Sequence, residues 1–165
     1  LLMELICDAD GDVAPRLGDV TMSPEQALED HRLVMLYVVR MLCVGVVHGD
    51  LSEFNVLLDE QGPVIIDLPQ AVNAAANNQA ESMLSRDVNN MTNYYGQFAP
   101  ELLDTRYAKE IWELYEAGEL HPDIELTGEY HEDEQSADVD AVLTEISAAI
   151  EEEEARLERM KPDEL

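Results

Sequence analysis

Positive charge is scarce in this sequence. Nine Lys and Arg, only Lys109 and Lys161 of them lysine, face thirty-seven Asp and Glu, for a formal net charge of −28. A nucleic-acid backbone is gripped by Lys and Arg that displace its counterions. This acidic segment therefore does not bind nucleic acid directly. Cysteine is as scarce. Cys7 and Cys43 both lie in apolar runs, too few for a disulfide framework and without metal-ligand spacing. They read as buried thiols in a reducing compartment. No apolar run reaches the roughly 18 residues that a membrane-spanning helix needs, and no secretory leader opens the sequence. A cytoplasmic protein without a membrane partner is the expectation.

What is present suits one globular domain: 165 residues, 46% of them apolar. The opening run Leu1–Ile6 reads as a strand cut from an upstream partner, so the chain is expected to be a fragment. The acids are not confined to a tail but pepper the apolar regions as well. Extreme acidity with little lysine resembles the cytoplasmic proteins of salt-loving archaea. In molar salt the Debye length falls to roughly 3 Å and such self-repulsion becomes tolerable.

Along the chain, Asp8–Asp12 is a turn. Ser23-Pro24-Glu25-Gln26 is a helix start, with Ser23 as cap, Pro24 at the first position and Gln26 completing a capping box. The helix runs to about Leu42 and is apolar on most faces after His31, as a buried helix is. Val44–Val47 is a short β-branched run. Val56–Leu58 and Val64–Ile66 form a hairpin over the turn Asp59–Pro63. Leu84, Val88, Met91 and Tyr95 share one face of a helix spanning about 79–98. Another helix spans about 105–117, capped by Asp104 and stopped by Gly118. Residues 121–137 read as a mobile acidic linker and 138–165 as an acidic helical tail.

The chemistry concentrates between these elements. Asp50 and Asn55 stand five apart in His48-Gly49-Asp50-Leu51-Ser52-Glu53-Phe54-Asn55, and the second hairpin strand ends on Asp67. Phosphoryl transfer needs a carboxylate to take the acceptor's proton and oxygen ligands for a hard cation that binds phosphates. Protein kinases meet the need with H-R-D-L-x-x-x-N followed by the Asp of D-F-G. The hairpin returns Asp67 beside Asn55 in the same way. His48 reads as a residue that orients the loop rather than as the base. Ser52 either approaches the phosphates or satisfies the loop backbone.

The departures from ordinary kinases are specific. His48–Leu57 resembles the catalytic loop of the RIO family of atypical serine/threonine protein kinases. Ile66-Asp67-Leu68-Pro69-Gln70-Ala71-Val72 resembles that family's metal-binding loop, and Leu84–Asn90 the helix after it. Leu2–Ile6 with Ala14–Leu17 resembles the hinge of the first RIO subfamily, whereas Pro69-Gln70 is nearer the second.

The resemblance implies an α+β fold, the mainly helical C-terminal lobe of a protein kinase with the site on a short β-hairpin. Residues 1–7 would be the hinge and 8–120 the lobe. It implies Asp50 as the catalytic Asp, Asn55 and Asp67 as ligands of Mg²⁺ or Mn²⁺, and Asp67 as the phosphoryl-accepting group of an ATPase variant. ATP would be held by Glu4 and Ile6 beyond the gatekeeper Met3, with Leu57 and Ile66 lining the adenine pocket and Ser52 near the phosphates. The implied partners are ATP, a protein hydroxyl or the chain itself, and a pre-small-ribosomal-subunit particle. The Gly-rich loop and the strand Lys with its Glu partner would belong to an upstream lobe. A lobe without them is expected to bind ATP weakly and not to turn it over. A non-catalytic nucleotide-binding scaffold is the third reading, disfavoured by intact Asp50, Asn55 and Asp67.

Overall fold

The computed structural model describes residues 5–130. The expected acidic helix at 138–165 lies outside them, as do Met3 and Glu4.

Helix α1 (Pro24–Cys43) begins as its sequence dictates. Ser23 Oγ accepts from Gln26 N–H at 3.2 Å and Pro24 occupies the first turn. The capping box does not form: the Gln26 side chain donates forward to Asp30 Oδ1 at 2.8 Å. A carboxylate buried on the helix outcompetes the exposed cap for that amide. The face carrying Ala27, His31, Val34, Met35, Val38 and Leu42 is buried.

Gly45, at φ +78, turns the chain into strand β1 (Val46–Val47). Strands β2 (Val56–Asp59) and β3 (Gly62–Ile65) form the expected hairpin, with Val56 opposite Ile65 and Asp59 opposite Gly62. Asp59 Oδ1 accepts from Gln61 and Gly62 N–H, which closes a turn three residues shorter than the sequence suggests. Strand β4 (Val72–Asn73) pairs antiparallel with β1. Helix α2 (Ala80–Tyr95) buries Leu84, Val88, Met91 and Tyr95 as its periodicity predicts. Helix α3 (Tyr107–Glu116) buries Ala108 and Ile111 and ends ahead of Gly118 at φ +71. The three helices pack on one core, which Leu17, Leu51 and Val56 of β2 also enter. The result is α+β, helical in bulk with two small antiparallel sheets.

Three further expectations need correction. Residues 5–6 form no strand. The chain there makes only a bridge between Cys7 and Val13, across a turn in which Asp8 Oδ1 accepts from Asp10 and Asp12 N–H. Strand pairing needs a neighbour, and the described residues supply only that local one. Asp104 does not cap α3. It belongs to a 3-10 turn, Pro100–Asp104, and Arg106 stands at the helix entry. Finally, the described part of 121–137 is packed down instead of forming a loose linker. Gly128 C=O accepts from Arg106 N–H at 2.7 Å, and the Glu110 carboxylate accepts from Thr127 and Gly128 N–H at 2.8 Å each. Ile124 and Leu126 lie on the core, and Arg40 donates to Pro122 C=O and Asp123. The acidic composition of this segment hides two apolar residues and the caps that α3 lacks in its own sequence. Among the described residues no helix is long and apolar enough to cross a membrane.

Candidate active site

Strand β1 delivers the chain into the loop 48–55 from inside the core. His48 is 2% exposed, and both ring nitrogens are engaged. Nε2 lies 2.9 Å from Ile66 C=O, which can only accept, and Nδ1 accepts from Asp50 N–H at 3.3 Å. The ring therefore carries its proton on Nε2 and spans two segments, the loop-orienting role expected of it.

Ile66 is the latch between them. Its C=O takes the His48 proton and its N–H donates to Asn55 C=O at 2.9 Å. Asp67 follows at φ +67, a left-handed conformation that Asp tolerates better than most residues and that non-glycine residues adopt mainly at constrained sites. Across the loop, Asn55 Nδ2 donates to Asp50 C=O at 2.6 Å. That bond uses the amide's donor side and leaves Oδ1 as its acceptor. Asp50 and Asp67 are both exposed. Three hydrogen bonds thus tie the loop at Asp50, Asn55 and His48 to Ile66, the residue before Asp67. The donor set of one amide oxygen and carboxylates suits a hard divalent cation. Among the described residues no three His, Cys, Asp or Glu side chains converge on one point, so such a cation would complete its shell with phosphate and water.

The remaining expected residues are placed less directly. Ser52 sits at the mouth of the loop with its C=O accepting from Asn55 N–H, and it lines a groove against α2. Leu57 and Ile66 are half-buried. Leu57 bridges to Arg16, and Leu58 N–H donates to Pro15 C=O at 2.9 Å, so the Ala14–Leu17 stretch lies on β2. Ile6 lies against the same stretch, its C=O accepting from Ala14 N–H at 2.9 Å. The group it retains for a ligand is its N–H.

The sequence reading missed what holds the loop. Asp87, 1% exposed, accepts from Gly49 N–H at 2.7 Å and from Leu51 N–H at 3.0 Å, the two residues flanking Asp50. Burial pushes its carboxyl up, and these two N–H groups oppose the shift. On the same side of α2, Arg86 donates to Gly49 C=O and Asn90 to Leu51 C=O. The signal was available: Asp87 falls on the apolar stripe, three residues beyond Leu84 and four before Met91, and a carboxylate there must find partners. Gly49 is needed as glycine. Its φ is +85, and a Cβ would lie 2.7 Å from Met83 Cε and 2.8 Å from Gln70 O.

Comparison with known proteins identifies the family. A model of the RIO domain matches residues 1–108. The RIO-type serine/threonine-protein kinase Rio1 of Haloferax volcanii is 42% identical over 96 residues, which cover 58% of this chain and 31% of that protein. Rio2 of Methanocaldococcus jannaschii is also 42% identical, over 78 residues covering 47% of this chain and 28% of the relative. The serine/threonine-protein kinase rio2 of Schizosaccharomyces pombe is 29% identical over 99 residues, 59% of this chain and 28% of its own length. The chain thus spans about a third of the curated relatives it matches or less, and it belongs to the RIO-domain family.

Proposed function

We propose that this chain supplies the catalytic half of an ATP-dependent phosphotransferase of the serine/threonine protein kinase type. One observation carries the reading: Asn55 ties itself to Asp50 C=O through its amide and to Ile66 N–H through its backbone, which links the candidate base, one candidate metal ligand and the residue that precedes the other, Asp67.

In this reading Asp50 accepts the proton of a protein hydroxyl, on a substrate or on the chain itself. The new bond joins that oxygen to the γ-phosphorus, the bond to the β,γ-bridging oxygen breaks, and ADP leaves with the electron pair. Asn55 Oδ1 and Asp67 hold Mg²⁺ or Mn²⁺, which when bound neutralises charge on the phosphates. Ile6 N–H and, upstream of the described residues, Glu4 meet the adenine beyond Met3. Leu57 and Ile66 form its apolar bed, and Ser52 stands at the phosphate end. His48 and Asp87 hold the loop that carries these groups. From the family resemblance we place the protein in small-ribosomal-subunit maturation in the cytoplasm. Its contact with such a particle would not run through phosphate-backbone attraction, given the net charge of −28.

A second reading, an ATPase switch, is favoured by one feature. Residues 68–79, between Asp67 and α2, are taken up by turns and by β4, with no long segment to dock a peptide. There Asp67 would take the γ-phosphoryl group and water would remove it. The test uses the full-length protein with γ-labelled ATP and Mg²⁺. Asp50→Asn should lower turnover by about 10²- to 10⁴-fold, the usual worth of a general base. Hydroxylamine-labile label would favour the switch and stable label the kinase. Equal turnover in wild type and Asp50→Asn would end both readings.

A further inference from the structure

A groove of about 270 Å³ opens between the catalytic loop and α2, lined by Ser52, Glu53, Asn90, Asn93, Tyr94 and Gln97. It lies beside the catalytic loop: Ser52 and Glu53 of that loop line it, and Asn90 Nδ2 donates to the carbonyl of Leu51, the residue after Asp50. Its acidic wall is held in place. Glu53 C=O accepts from Gly18 N–H at 3.2 Å, and a Cβ at Gly18 would lie 3.2 Å from Glu53 Cγ, so the glycine backs directly onto that side chain. Tyr94 Oη donates to Leu17 C=O at 2.7 Å and pins the Leu17–Asp19 turn to α2. The Tyr94 hydroxyl is pushed up first by burial and then by Glu53 and Asp19, so both carboxylates bear on this end of the groove. Among the described residues neither is ion-paired with Lys or Arg. Asn93 and Gln97 are exposed along the opposite edge.

We propose that this groove receives the acceptor polypeptide, an extended segment that presents Ser or Thr to Asp50 while Glu53 holds a neighbouring Lys or Arg. The inference rests on the kinase reading above and names its acceptor side. Side-chain amides carry a donor and an acceptor each and so match the main chain of an extended peptide. The unpaired carboxylates select positive charge and reject a nucleic-acid strand.

The test uses the full-length protein with Mg-ATP in salt that keeps it folded, and two serine peptides that differ in having Arg or Glu beside the acceptor. Wild type should show the lower KM for the Arg peptide. Glu53→Gln should raise that KM about three- to fivefold, as for one exposed ion pair, with kcat unchanged. Glu53→Arg should reverse the preference. Asn93→Leu combined with Gln97→Leu should raise KM for both peptides, an effect that salt does not screen. Identical KM values for both peptides in every variant would overturn the inference while leaving Asp50-dependent turnover intact. So would phosphate release to water with neither peptide labelled. Loss of Asp50 dependence itself would instead remove the phosphotransferase reading, and this inference with it.

Discussion

His31 is buried at the centre of the helical core. Its Nε2 lies 2.9 Å from Thr92 Oγ1, and its ring stands edge-on to Tyr95 and tilted against Tyr107. Burial lowers its pKa from 6.5 to about 4. An unfolded chain takes up a proton near pH 6.5 that the folded chain refuses until about pH 4. The His31 contribution is therefore full above pH 6.5 and is lost as pH falls through that window, by about 3 kcal/mol in all. Asp30 and Asp87 act in the opposite direction, since burial raises both carboxyls and favours the folded state as acid is added. The His31 term is thus seen by difference. Denaturant unfolding of wild type and His31→Gln between pH 7 and 4 should give a shallower loss of stability for the variant. Parallel profiles would mean that His31 is charged in the folded protein.

At the scale of elements, α2 has two tasks. Leu84, Val88, Met91 and Tyr95 seal the core, while Arg86, Asp87 and Asn90 fasten the peptides around Asp50. Backbone bonds to a helix restrain a loop more tightly than side-chain packing would, because they fix the peptide planes. The segment 121–130 does comparable work for α3. It satisfies Arg106 N–H, uses the Glu110 carboxylate, and covers the core with Ile124 and Leu126. A chain ended after Tyr130 should therefore unfold cooperatively. One ended after Leu120 should lose at least about 3 kcal/mol, the sum expected for two partly buried aliphatic side chains and the lost hydrogen bonds. Urea midpoints of the two chains measure this, and equal midpoints would make 121–130 a passenger.

For the whole molecule, charge dominates. At −28, exposed carboxylates repel one another over a Debye length of roughly 30 Å at 0.01 M salt and only about 3 Å at 1 M. Few cations relieve this: Arg32–Glu29 and Arg40–Asp123 are exposed pairs, each worth little. The melting temperature should climb with KCl, steeply up to about 1 M and more slowly beyond as screening saturates. A melting temperature that is flat or falls with added KCl would show that self-repulsion is not what limits stability.

Local signals in the sequence were enough for much of this protein. The Ser23-Pro24 start, the stripe Leu84–Val88–Met91–Tyr95, the hairpin and the spacing of Asp50, Asn55 and Asp67 all depend on neighbours within a few residues, and periodicity or motif spacing records them. Contacts between distant residues could not be read that way. The grip of Asp87 on Gly49 and Leu51 spans 38 and 36 positions, the Tyr94 bond to Leu17 spans 77, and that of Arg40 to Asp123 spans 83. Those partners are chosen only when the helices pack, because a buried carboxylate or an uncapped helix end takes whichever group the fold brings within hydrogen-bond reach.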